Sequence, residues 1–326
     1  MEPAATSPGP GGRQWGIRHG DQTAVVVEVG GGLRTWTVAG RDVVSGYPES
    51  DIASAGRGQI LMPWPNRIRD GRYRADGEEH QLALSEPRTG NASHGLVRWA
   101  AWAPSPDAPI ADVTGGREVP TDAPSAITVA HVLHPSPGYP WRLDLSVTYA
   151  LGADGLAVTV AATNSGTGAA PFGFGAHPYV ALGETPAAQA RLTVPAAEVV
   201  AVDPERLLPT GTVPAGDLGL DLRAGEELGD RAVDHAFARP TRDADGRWRV
   251  RVGLDQGDVE VWGGTGLDWV QVFTGKSTPD SVPAGHPEGI AVEPLSCPPD
   301  SFNSGEGVVT LAPGESWSAS WGMTLA

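Results

Sequence analysis

Cysteine is nearly missing from this chain. The single residue, Cys297 among 326, has no partner for an internal disulfide, so the fold draws nothing from an oxidising compartment. Positive charge is also scarce. With 23 Lys and Arg against 39 Asp and Glu the formal net charge is -16, which repels nucleic-acid phosphates and anionic membrane surfaces. No stretch approaches the roughly 20 apolar residues of a membrane span, and residues 1–12 lack the apolar run of a signal peptide. No nucleic-acid partner, no membrane partner and a cytoplasmic location are expected. Long amphipathic helical stripes are absent as well, and 44 Gly and 30 Pro would interrupt them.

What is present reads as strands. Residues 23–29, 33–38 and 143–149 are rich in β-branched and aromatic side chains and partly alternate apolar with polar, and 247–252 alternates strictly. Further strands are expected at 259–262, 267–274, 290–293, 307–311 and 316–325. The pairs Asp76-Gly77, Asp154-Gly155 and Asp245-Gly246 tolerate positive φ and suit tight hairpin connections. Residues 104–125, rich in Pro and Asp and without periodicity, read as a long surface loop. No repeat of fixed period appears, which argues against a propeller or solenoid. The expected architecture is all-β, a large two-layer β-sandwich, with residues 1–13 as a disordered tail and 14–326 as one domain.

Three residues stand out for chemistry. His94 follows Asn91-Ala-Ser93 and precedes Gly95, His177 lies between Gly-Phe-Gly-Ala176 and Pro178, and Glu293 sits between a short apolar stretch and Pro294. Imidazole and carboxylate exchange protons near neutral pH, and strand ends and loops are where a rigid β scaffold carries chemistry. The bland alternatives are a core histidine bonded to a carbonyl and a solvated glutamate. Other combinations are weaker. His131, His134 and His286 lack metal-ligand spacing, so no metal is expected. Cys297 has no neighbouring histidine and reads as a small buried filler, and Gly263-Gly-Thr-Gly266 lacks the lysine of a phosphate loop.

The local wording and order of these motifs resemble the aldose 1-epimerases, or galactose mutarotase-like proteins, through nearly the whole chain after the tail. The resemblance implies a β supersandwich and interconversion of the α and β anomers of a sugar. By that resemblance His177 is the acid and Glu293 the base, with His177 acting as imidazolium on the ring oxygen and ionised Glu293 accepting from the C1 hydroxyl. Asn66 and Arg67, in the Asn-Arg-Ile element, match sugar-binding positions, as do His94, Asp234 in Asp-His-Ala-Phe237, and Gln271 in Trp-Val-Gln-Val-Phe273. His235 is assigned to structure. On pattern alone Gln271 is as well read as an outward polar residue. Trp64, Trp262 and Trp269 offer an apolar floor for a sugar or belong to the core. No cofactor is required, the partner is a small-molecule aldohexose, and a monomer or homodimer is expected.

The chain departs from the best-known galactose mutarotases, with Ala-His-Pro-Tyr179 and Glu-Pro-Leu-Ser-Cys-Pro-Pro-Asp300 in place of their Asn-His-x-Tyr and Glu-Thr-Gln-x-x-Pro-Asp, which places it in a bacterial subgroup and leaves the sugar open. Arg67, Arg69, Arg72, Arg74 and Arg98 raise the alternative of a hexose that is anionic at C6. A carbohydrate-binding protein without turnover is a second alternative, and a glycosidase, with Asp234 as second carboxylate, a third.

Overall fold

The computed structural model describes residues 8–106, 108–274 and 289–326, and the architecture is the all-β sandwich that the strand pattern predicts. His286 and residues 1–7 of the expected tail lie outside the described residues. Within that expected tail, Gly11 is buried and its carbonyl accepts the Val29 N–H at 3.0 Å.

A nine-stranded antiparallel sheet is organised around the hairpin of Leu143–Gly152 and Gly155–Asn164. Leu143, Leu145, Val147, Tyr149 and Leu151 all point into the core, while the residues between them are exposed or half-buried. Strict alternation of this kind belongs to a sheet with one wet face. The turn is Ala153-Asp154, with Gly155 at φ 102 relieving the reversal. The C-terminal strand Ser316–Leu325 lies between Gly155–Asn164 and Val259–Gly263, so the last residues of the chain knit the two halves of this sheet together. Asp76-Gly77 also closes a hairpin, Arg72–Ala75 with Glu78–Gln81. Asp245-Gly246 does not. It turns the chain within 243–247, where the Asp243 N–H reaches the Arg247 carbonyl, and the preceding strand Asp234–Ala238 belongs to a different sheet.

That second sheet has eight strands, in the order Pro209–Pro214, Glu198–Val202, Asp234–Ala238, Trp269–Phe273, Gly289–Leu295, Gly175–Ala176 and Ile60–Leu61, with Tyr179–Ala181 also paired to Gly289–Leu295. Its inward face, including Phe237, Val270, Val272 and Val292, joins one hydrophobic cluster with Val147, Val160 and Trp321 of the nine-stranded sheet and with Val26 and Trp36 of a four-stranded sheet. The segment expected as a surface loop packs along the edge strand Gln14–His19, where Gly16, Arg18 and Val113 make backbone hydrogen bonds. It thereby satisfies an edge that would otherwise be open to pairing.

Candidate active site

The central strands of the eight-stranded sheet are covered on both faces. Every residue of Gly289–Leu295 is buried, although alternate side chains must point away from the core. Register settles which ones do. Gln271 lies opposite Glu293 and Ala236, and Asp234 opposite Phe273, so Asp234, Gln271 and Glu293 share the face turned away from Val272 and Val292. This face is the floor of a cavity of about 270 Å³. Gln271 is thus inward-facing in the functional sense, not the outward polar residue of a one-sided strand.

His177 reaches the floor from the kink between Gly175–Ala176 and Tyr179–Ala181. The surrounding glycines permit it. A Cβ on Gly173 would stand 2.5 Å from Cys297 Sγ, one on Gly175 would stand 2.7 Å from Leu295 and Pro65, and Gly56, at φ 80, has space only for the His177 ring. The backbone is pinned by His177 N–H to the Gln59 carbonyl and Gly58 N–H to the His177 carbonyl. Its ring stacks on Tyr179 with centroids 5.1 Å apart and an 11° interplanar angle; Tyr179 is held by Arg57 over its ring and by its hydroxyl donating to the Ala55 carbonyl at 2.8 Å. The result is a ring whose Nε2 stands 3.3 Å from Glu293 Oε1.

Burial governs the charges of this pair. His177 is only 5 % exposed and Glu293 2 %. Desolvation, with the charges of Arg57 and Arg98 adding to it, pulls the His177 pKa down to about 3. Desolvation, reinforced by the Asp234 carboxylate and opposed by Arg67, pushes Glu293 well above the usual carboxylate range. Burial thus disfavours both the imidazolium of His177 and the carboxylate of Glu293, the forms expected from the sequence.

The second histidine sits in a left-handed conformation, φ 63, followed by Gly95 at φ 71. His94 N–H donates to the Asn66 carbonyl at 2.8 Å, and its Nδ1 accepts the Asn66 N–H at 3.3 Å, which leaves the proton of the neutral ring on Nε2. Burial first, then the proximity of His177, Arg98 and Arg67, holds its pKa well below that of a free imidazole. Its ring meets the edge of His177 with centroids 5.7 Å apart.

Arg67 lines the same cavity, but most of its fork is occupied: Nε and Nη2 donate to the two Glu86 oxygens at 2.7 and 2.9 Å, and Thr89 holds Glu86 in turn. Asn66 Oδ1 accepts from the Arg67 backbone N–H at 2.9 Å and lies 3.4 Å from Nη1. Glu86 escaped the sequence reading because nothing in Ser-Glu-Pro87 marks it. Gln271 Nε2 donates to Asp234 Oδ1 at 2.6 Å, while Gln271 Oε1 is buried without a partner, a free acceptor at the floor.

All seven residues singled out in the sequence therefore border one cavity. The tryptophans do not. Trp64 packs on Phe302, Trp262 belongs to the nine-stranded sheet, and Trp269 joins Ala238 and Leu295 in a small separate cluster. Besides the two histidines, the aromatic residues at the cavity are Phe273, at the end of the Trp-Val-Gln-Val-Phe273 motif, and Trp99, unmarked by any motif. Of the five arginines considered as an anion patch, Arg69 pairs with Asp300, and Arg72 and Arg74 stand on the exposed hairpin; only Arg67 and Arg98 line the cavity, with Arg88 as an addition.

A family model described as aldose 1-epimerase matches residues 13–324. The chain belongs to the aldose 1-epimerase family. An Escherichia coli (strain K12) relative called uncharacterized protein YihR is 34% identical over 305 residues, covering 93% of this chain and 90% of that one. A galactose mutarotase from Pongo abelii is 30% identical over 204 residues, 59% of this chain and 54% of that protein. Among solved structures, a galactose mutarotase-like protein from Clostridium acetobutylicum superposes with a TM-score of 0.79 at 17% identity, covering 96% of this chain and 95% of that one, a likeness of fold. Membership of this family makes the chain an epimerase-type isomerase acting on sugars. Among the described residues no helix is long and apolar enough to cross a membrane.

Proposed function

We propose that the cavity catalyses exchange between the α and β anomers of an aldohexose, with His177 and Glu293 moving the protons. The observation that carries this is their separation. Two buried proton-exchanging groups 3.3 Å apart can serve only two substrate atoms that are themselves close, and the ring oxygen and hydroxyl of a hemiacetal sit on one carbon. His177 gives a proton to the ring oxygen as the bond from that oxygen to C1 breaks, C1 becomes the aldehyde carbon, and Glu293 takes the proton of the C1 hydroxyl. Rotation about the C1–C2 bond and reversal of the same transfers close the other anomer. No electrons are exchanged with another species.

Burial adds a bias to this sequence. Neutral His177 with protonated Glu293, the state favoured in the low-dielectric floor, is the proton distribution the pair reaches when the ring opens. The site thus favours the open-chain stage, which is uphill for a free sugar. Arg67, beside Glu293, keeps the carboxylate form accessible for the closed sugar. His94 Nε2–H, Gln271 Oε1, Asp234, Asn66 and the open edge of Arg67 offer a mixed set of donors and acceptors for the remaining hydroxyls, and their contribution is orientation.

Anomer-exchange NMR on freshly dissolved hexoses tests the reading: exchange well above the buffer rate is expected, with no release from a chromogenic glycoside. Binding without exchange would make the protein a carbohydrate binder, and glycoside cleavage would make it a hydrolase.

A further inference from the structure

Among the described residues three arginines line the cavity, and one of their guanidiniums is paired. Arg67 is clamped by Glu86, whereas the guanidiniums of Arg88 and Arg98 make no hydrogen bond or ion pair with a described residue, and Arg98 takes part only through its carbonyl, which accepts from Gln59 Nε2. Arg98 is half-buried; its loss of water pulls its pKa down, and Glu86, the carboxylate that acts on it, is already occupied by Arg67 and Thr89. An unpaired guanidinium withdrawn from water is unfavourable until an anion meets it. Beside it stands Trp99, 48 % exposed yet lining the cavity, with the Arg98 guanidinium 5.5 Å from its ring centre. A neutral sugar could accept hydrogen bonds from these two guanidiniums but would leave both charges uncompensated, and the chain as a whole, at -16, repels anions at long range, so a local anion site has to be built from side chains such as these.

The direction of the Arg98 charge matters too. Gln59 ties Arg98 to His177, its Nε2 donating to the Arg98 carbonyl at 3.1 Å and its own carbonyl accepting the His177 N–H at 3.0 Å, and the Arg98 charge acts on His177 and His94, while those acting on Glu293 are Asp234 and Arg67. Arg98 therefore stands on the histidine side. With His177 at the ring oxygen, that side faces C5 and its exocyclic carbon, C6.

We infer that the substrate is a hexose bearing an anionic group on C6, a phosphate, sulfonate or carboxylate, with Arg98 as its anchor and Arg88 closing on it from the exposed rim. The guanidinium fork of Arg98 matches the paired oxygens of any of these groups. The inference rests on the ring-opening reading for its orientation. An anion seated on Arg98 would also offset one of the charges that hold His177 in its neutral form, so that binding the substrate makes the acid form of His177 easier to reach.

The experiment compares glucose, glucose 6-phosphate, 6-deoxy-6-sulfonated glucose and glucuronate in anomer-exchange NMR and in binding calorimetry, with wild type, Arg98→Gln and Arg98→Lys. At least one anionic sugar should exceed glucose in kcat/KM by about 10- to 100-fold, the worth of a charge-assisted hydrogen bond. Arg98→Gln should cut that ratio about tenfold, with Arg98→Lys between the two. The preferred anion identifies the group. A wild-type ratio at or below one for all three anions overturns the inference, even if Arg98→Gln does not fold, and so does a ratio unmoved in a folded Arg98→Gln. If no sugar exchanges, the ring-opening reading falls; the anion site then stands or falls on whether calorimetry shows an anion preference that Arg98→Gln removes.

Discussion

The two large sheets make opposite use of the same backbone. In the nine-stranded sheet, Leu143–Gly152 alternates a buried with a wetter position throughout, so each polar side chain has water. In the eight-stranded sheet, Gly289–Leu295 is buried at all seven positions, and Trp269–Phe273 at all but its last. A polar group there has to find protein partners or be left for a ligand. Gln271 does both: its amide nitrogen is given to Asp234 and its oxygen is left open. Stability is concentrated where one face is dry and the other wet. Chemistry is concentrated where both are dry and the side chains are nonetheless polar.

Breaking the dry, polar face should remove activity without removing the fold. Glu293→Gln and His177→Asn are each expected to lower kcat by about 10² to 10⁴, the usual contribution of a positioned acid or base. Stability of Glu293→Gln should move the other way. Because the folded-state pKa of Glu293 lies above its ordinary value, the native state holds a proton the unfolded chain releases, and the stability this contributes at low pH is lost as pH rises above about 4.5. The glutamine variant escapes that loss, so its Tm at neutral pH should exceed wild type by about 2 °C, the shift produced by about 1 kcal/mol in a chain of this size. A Tm below wild type would mean that Glu293 holds the fold together.

The converse belongs to the nine-stranded sheet. Leu145→Ala, deep in the core cluster, should cost about 2–5 kcal/mol in denaturant unfolding, with kcat of the folded fraction within about twofold of wild type. A large fall in kcat would show that the two sheets are not separable in this way.

The same contrast explains what could be read from residues alone. Residues 33–38 and 316–325 appear as strands with the expected bounds, because their patterns face one core. The short strands Ile60–Leu61 and Gly175–Ala176 have no pattern to show, since two residues carry no period. All seven candidate residues reach one cavity because motifs preserved them as local wording. Glu86, Trp99 and the protonation of His177 were not legible. Glu86 matters through a partner 19 residues away, Trp99 through exposure at a rim, and His177 through the burial that Tyr179 and the 55–59 segment impose. Each is a property of what covers a side chain, which sequence spacing does not carry.

A smaller effect separates the arginines. Arg67→Ala should reduce kcat/KM by about 1–3 kcal/mol in transition-state terms, as the loss of a buried donor leaves polar groups unpaired. Glu86→Gln should reproduce part of that loss through KM, because Arg67 would no longer be held in a two-point clamp. Arg72, whose Nε meets Gln81 on the exposed hairpin, should change kinetics and stability by less than about 0.5 kcal/mol when replaced by Ala. Equal losses from Arg67→Ala and Arg72→Ala, measured with one sugar, would move the binding surface out of the cavity.

The smallest expected effect is an absence of change in the pH profile around 6.5. Neutral His177 with protonated Glu293 and imidazolium His177 with ionised Glu293 carry the same number of protons, so pH does not choose between them. Activity is lost only when the pair gains a further proton, near the depressed His177 value of about 3, or loses its shared one, above the raised Glu293 value. His94, with its Nδ1 fixed as an acceptor and its pKa also held low by burial, adds no limb at 6.5. The kcat/KM for anomer exchange of a neutral hexose, corrected for buffer catalysis, is therefore expected to stay level as pH falls through 6.5. An acid limb with its midpoint there would show that one of these histidines titrates as an exposed imidazole, and the dry floor that distinguishes this sheet from its partner would be wet.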